Sequence, residues 1–151
     1  MIANSVEEFL KYTPIGRLIA LDVGTKRIGI AITDDTRKII TPSETLHRLG
    51  NKKDIPYLLN LFNAKKVSGI IVGLPLSFKE EETKYSQFVR RFVDILSKDS
   101  KIPFIFQDER LSSFDAEDLM LDLVGSNKTK QVVDKISASY ILEYFLNSIK
   151  F

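Results

Sequence analysis

The 151-residue sequence predicts one α/β domain built on a mixed sheet. Three observations carry this. Apolar, β-branched runs at about 17–23, 28–33 and 39–46 follow one another through short polar turns, which reads as an antiparallel meander. Beyond residue 50 the pattern changes to helix–strand alternation, and strands joined through helices run parallel to each other. The length suits a single domain with a sizeable core, and there is no internal repeat or low-complexity tract to divide it.

The elements follow in order. Residues 4–12 form a short amphipathic helix, with Ser5 and Glu8 at capping-box spacing and Val6, Phe9 and Leu10 on one face; Thr13-Pro14-Ile15-Gly16 ends it. Residues 1–16 are therefore set apart as an N-terminal helical extension, with the main domain at 17–151. After the meander, Ile55, Leu58, Leu59 and Phe62 mark a helix that leads to a strand at 69–73. Tyr85, Phe88, Val89, Phe92, Val93 and Leu96 share one face of a longer helix, and a strand at 102–106 follows. A helix near 113–124, a polar loop at 125–128 and a final helix near 130–149 complete the chain.

Composition narrows the chemistry. Hydrophobic residues are 44% and charged residues 28%, ordinary values for a soluble globular protein. Cysteine is absent, which excludes disulfides, thiolate metal sites and a cysteine nucleophile. The single histidine, His47, excludes a histidine-rich zinc site. With 22 basic and 20 acidic residues, the net charge of +2 does not by itself mark a nucleic-acid binder, so attraction to phosphate depends on where the charges lie. No stretch matches a membrane span or a signal peptide, and a cytoplasmic protein is expected.

Three acidic positions stand out. Asp22 closes the apolar run Leu18-Ile19-Ala20-Leu21 at the entry to a glycine turn; a carboxylate there either accepts backbone N–H bonds in the turn or answers to a basic group or a metal. Asp108-Glu109 follows the strand ending at Phe106-Gln107, and in open α/β sheets functional groups gather at the carboxyl ends of strands. Ser112 or Ser113 can cap the next helix, yet capping does not account for two adjacent acids at a strand end. Asp134 is the third. On the last helix Lys135, Ser139, Glu143, Asn147 and Lys150 form the polar face, whereas Asp134 aligns with Ala138, Ile141 and Phe145. Its plainer reading is an N-cap or first-turn acid. Separated carboxylates without histidine or cysteine suit a hard cation such as Mg²⁺ or Mn²⁺, and two such ions roughly 4 Å apart serve phosphodiester hydrolysis.

The segments LDVGTKRIGIAITD (21–34), IIVGLPLS (70–77), QDERLSS (107–113) and VDKISASYILEYFL (133–146) together resemble the YqgF/RuvX family, and Arg37 through Pro42 is similar to its approach to the third strand. The family consists of ribonuclease H-like proteins assigned to pre-16S rRNA nucleases and, earlier, to Holliday junction resolvases. The resemblance implies a ribonuclease H-like mixed five-stranded sheet of order 3-2-1-4-5, strand 2 antiparallel to the rest, flanked by helices. It implies that Asp22, Glu109 and Asp134 are the catalytic, metal-binding acids, with Asp108 as a substitute or helper. Thr25, Lys26 and Arg110 are expected, by geometry and charge, to contact phosphate. Where the family has a glycine-containing loop after GLP, this chain has Ser77-Phe78-Lys79-Glu80-Glu81-Glu82, whose acids read as the first turn of the following helix.

The implied activity is Mg²⁺- or Mn²⁺-dependent cleavage at the 5′ end of precursor 16S ribosomal RNA, within the small-subunit precursor, leaving 5′-phosphate and 3′-hydroxyl ends. Resolution of structured DNA junctions would use the same acids. A non-catalytic RNA-binding assembly factor is the alternative without turnover. A sugar-kinase or actin-like ATPase, suggested by Asp22-Val23-Gly24-Thr25, would need a second lobe that 151 residues do not provide.

Overall fold

The computed structural model describes residues 1–76, 79, 81–108 and 127–149. Five strands, β1 (Arg17–Val23), β2 (Arg27–Thr33), β3 (Ile40–His47), β4 (Val67–Leu74) and β5 (Phe104–Asp108), form one sheet in the order β3-β2-β1-β4-β5. β2 runs antiparallel to β1 and β3, while β1, β4 and β5 are parallel. This is the mixed sheet expected from the sequence, with the same order and the same reversed strand. The helices among the described residues are α1 (Val6–Tyr12), α2 (Asn51–Ala64), α3 (Lys84–Lys98) and α4 (Asn127–Ser148).

The sheet divides the core into two layers, and side-chain alternation along each strand decides which residues enter which. Ile19, Leu21 and Val23 of β1 pack with Ile55, Leu58 and Phe62 of α2 and with Val89, Phe92 and Leu96 of α3. Leu18 and Ala20 turn to the other side, toward Phe9 of α1 and Ala138, Ile141 and Phe145 of α4. The first residues of the chain pack on this framework too. Ile2 bridges Phe104 in parallel, Ala3 N–H donates to the Phe104 carbonyl at 2.7 Å, and Phe104 N–H donates to that of Met1 at 2.9 Å. Phe9 is fully buried and meets Phe145 edge-on, with ring centroids 5.5 Å apart.

Several boundaries differ from the sequence reading, each for a local reason. β5 begins at Phe104 rather than residue 102, since Pro103 lacks an N–H, and it extends to Asp108, which pairs with Leu74. Asp108 is thus the last strand residue, not part of a following loop. α4 begins at Asn127, so Asn127 and Lys128 are helical and Asp134 lies two turns inside the helix; the first-turn reading of Asp134 is excluded. Glu82 precedes the N-cap Thr83 of α3 rather than occupying its first turn, and pairs with Arg90 at 2.7 Å. Ser5 caps α1 by accepting the Glu8 N–H at 3.1 Å, but the Glu8 carboxylate takes the Asn4 N–H in place of its half of the capping box. The expected helix at 113–124 lies outside the described residues.

Candidate functional site

β1 carries Asp22 to the carboxyl end of the central strand. Alternation places its side chain on the layer of Leu18 and Ala20, the side covered by α1 and α4. Asp22 pairs with Gly29 of β2, and Gly29 is where α4 touches the sheet. A Cβ at Gly29 would overlap the carbonyl carbon and oxygen of Asp134 and come within 3.1 Å of its Cα. Only a residue without a side chain allows this approach. The β1–β2 hairpin therefore presents Asp22 on one strand and removes the side chain from its neighbour, so that the helix can bring Asp134 alongside.

The turn that follows Asp22 is tight. Gly24 N–H donates to the Arg27 carbonyl at 2.8 Å, and a Cβ on Gly24 would stand 2.6 Å from that oxygen. Two groups hold the turn from the α2/α3 side. The Tyr85 hydroxyl donates to the Val23 carbonyl at 2.8 Å. Arg48 donates through its backbone N–H to the Lys26 carbonyl at 2.9 Å and through Nη1 to the Gly24 carbonyl at 3.3 Å. Arg48 is itself locked. Its Nε lies 3.0 Å from Asp54 Oδ2, with side chains 8% and 2% exposed, and its guanidinium stacks 4.7 Å from the Phe92 ring centroid. Asp54 is also satisfied by the Leu49 and Gly50 N–H groups at 3.1 and 3.2 Å. A buried ion pair with every partner in place is a rigid post. Here it fixes the turn.

Asp22, Thr25, Lys26, Arg27, Tyr85 and Asp134, with Gly24, line one cleft of about 190 Å³. Thr25 and Lys26 are exposed on its rim, while Asp22, Arg27 and Asp134 are half-buried. Arg27 Nε donates to Asp134 Oδ2 at 2.5 Å, a charge-assisted bond spanning most of the chain. The cleft therefore combines two carboxylates with a basic rim. Its donors to a cation would be oxygen only, which suits Mg²⁺ or Mn²⁺ and not a soft metal. Among the described residues no cluster of three or more acids or histidines forms.

The structure thus brings together four of the seven residues singled out from the sequence: Asp22, Asp134, Thr25 and Lys26. Asp108 lies elsewhere. Its partner Leu74 points into the α2/α3 layer, so Asp108 occupies the opposite face of the sheet from Asp22. Glu109 and Arg110 fall outside the described residues. Sequence reasoning missed Arg27, Arg48 and Tyr85. The one signal available was phase: Arg27, Gly29 and Ala31 alternate with the buried Ile28 and Ile30, which puts Arg27 on the face of Asp22.

A mixed sheet of order 3-2-1-4-5 with the second strand reversed is the ribonuclease H-like fold. Its fold resembles that of Thermus thermophilus RuvC solved in complex with a Holliday junction substrate, with a TM-score of 0.57, 11% identity, and coverage of 89% of this chain and 96% of that one. The chain belongs to the RuvX family, described as Holliday junction resolvase, whose model matches residues 16–148. Curated relatives named "Putative pre-16S rRNA nuclease" match nearly the whole chain. The one from Wolbachia sp. subsp. Drosophila simulans (strain wRi) is 36% identical over 151 residues, covering 99% of this chain and 97% of the relative. That from Cereibacter sphaeroides is 38% identical over 151 residues, covering 99% and 94%.

Proposed function

We propose that this chain is a divalent-cation-dependent endonuclease that hydrolyses phosphodiester bonds in 5′-end processing of precursor 16S ribosomal RNA. The observation that carries the reading is the convergence of Asp22 and Asp134 in one cleft beneath the basic turn of Lys26 and Arg27. Identity of 36–38% to relatives bearing the nuclease name, over nearly their full length, supports the choice of RNA.

Asp22 and Asp134 would hold Mg²⁺ or Mn²⁺, and Glu109 is the proposed third acid; Asp108, on the other face of the sheet, is not included. When bound, such an ion supplies Lewis acidity at the phosphoryl oxygen. The protein supplies position. Gly29 lets α4 close on β2 and sets the separation of the two carboxylates. Lys26 offers an ammonium and Thr25 a hydroxyl to phosphate oxygens flanking the cleaved bond. Arg48 and Tyr85 keep the turn from drifting, which matters because displacement of about 1 Å can cost on the order of 10²-fold in rate. No helix among the described residues is long and apolar enough to cross a membrane.

The test compares the wild type and Asp22→Asn on precursor 16S RNA and on a four-way DNA junction, each with and without Mn²⁺. Mn²⁺-dependent RNA cleavage leaving 5′-phosphate ends, lost in the variant, supports the reading. Cleavage of the junction alone moves the activity to DNA. Retained RNA binding with no cleavage under any condition identifies a non-catalytic assembly factor.

A further inference from the structure

Asp134 is a proposed cation ligand, yet its carboxylate already holds a cation of the protein's own. Arg27 Nε reaches Asp134 Oδ2 at 2.5 Å, inside the same cleft that Asp22 lines. The pair is neither surface decoration nor core. Its side chains are 29% and 22% exposed, so it is shielded enough to matter and open enough to rearrange. The arrangement is also imposed by the fold. Arg27 opens β2 two residues before Gly29, on the same face, and Gly29 is the point where the Asp134 backbone rests on the strand. Two carboxylates facing one small cleft repel each other, and the Arg27 guanidinium offsets the charge of Asp134.

Guanidinium serves carboxylate and phosphate equally well, since its planar fork matches the paired oxygens of either. A divalent ion at Asp134 would compete for the same carboxylate and repel the guanidinium beside it. We propose that Arg27 is a resident counter-cation: it occupies Asp134 in the cation-free protein and transfers to a substrate phosphate oxygen when a divalent ion takes its place. This rests on the nuclease reading above and deepens it. Nothing covalent changes; one ion pair is exchanged for two. The exchange couples the two ligands. RNA that draws Arg27 away raises the affinity for the divalent ion, and the ion raises the affinity for RNA by the same factor.

The experiment reads binding rather than turnover. Mn²⁺ is titrated into wild type, Arg27→Gln, Arg27→Lys and Asp134→Asn, with free Mn²⁺ followed by electron paramagnetic resonance and folding checked by circular dichroism. The titrations are repeated in the presence of a short phosphorothioate RNA that resists hydrolysis. Arg27→Gln is expected to bind Mn²⁺ about 5-fold or more tighter than wild type without RNA, and to lose the RNA-induced gain that wild type shows. Arg27→Lys, which keeps the charge but not the fork, falls between them. Unchanged or weaker Mn²⁺ binding by a folded Arg27→Gln, with binding lost in Asp134→Asn, overturns the exchange and leaves the nuclease reading standing. Mn²⁺ binding by none of the proteins, wild type included, overturns that reading and the exchange with it.

Discussion

Gly29→Ala is the smallest change that should separate the two halves of the site. A Cβ at this position overlaps the Asp134 carbonyl group and stands 3.1 Å from its Cα, whereas ordinary contact begins at 3.4 Å. The obstacle is helix backbone, not a side chain that can rotate away. Relief requires α4 to retreat by on the order of 1 Å, in a layer where Ala138, Ile141 and Phe145 are fully packed. Overpacking of this kind costs about 1–3 kcal/mol. For a chain of this size that corresponds to a fall in Tm of roughly 2–4 °C per kcal/mol. The same retreat carries Asp134 away from Asp22, and misplacement by about 1 Å is enough for a loss on the order of 10²-fold in cleavage rate. The assay pairs thermal unfolding with Mn²⁺-dependent cleavage well below the variant's Tm, where the protein is folded. A Gly29→Ala protein with wild-type Tm and wild-type rate would refute the claim that this glycine seats the helix and sets the site.

Two further predictions concern the frame of the site and the edge of the sheet. Arg48→Ala leaves Asp54 buried without its cation, which costs about 3–5 kcal/mol, and it should also slow cleavage by freeing the turn at Gly24 and Lys26; thermal melts and rates at low temperature separate the two effects. Asp34 behaves differently with pH. The Thr36 hydroxyl, followed by the Ile39 and Lys38 N–H groups, holds its carboxyl below the ordinary value of 3.8. Because the folded value lies below the unfolded one, this stabilisation is present above pH 3.8 and fades as pH falls through the folded value. Melting temperatures of wild type and Asp34→Ala should therefore differ near neutrality and converge below pH 3.8; a gap that stays constant would contradict the assignment.

Much of the frame was legible because it follows from short-range pattern. The apolar runs of β1 and β2 and the glycine turn between them announce a hairpin, and the period of Val89, Phe92, Val93 and Leu96 announces α3. Asp22 and Asp134 were legible for a different reason: each is a carboxylate where the local pattern calls for an apolar residue. What stayed hidden depends on pairing across the chain. Nothing near Arg27 indicates that it meets Asp134, 107 residues away, and Arg48 looks like one more surface cation until α2 folds Asp54 onto it. The face of Asp108 was hidden too, because β5 runs two residues further than the pattern suggests and only the register with Leu74 shows which side it takes.

The central claim is that Asp22 and Asp134 act as one site. A double-mutant cycle tests this most directly, measuring Mn²⁺-dependent cleavage of precursor 16S RNA by wild type, Asp22→Asn, Asp134→Asn and the double variant. Groups that act as a unit give strongly non-additive losses. Either single substitution should lower the rate as far as both together, with circular dichroism spectra unchanged. Wild-type cleavage by a folded Asp22→Asn or Asp134→Asn, or losses that simply multiply in the double variant, would contradict it.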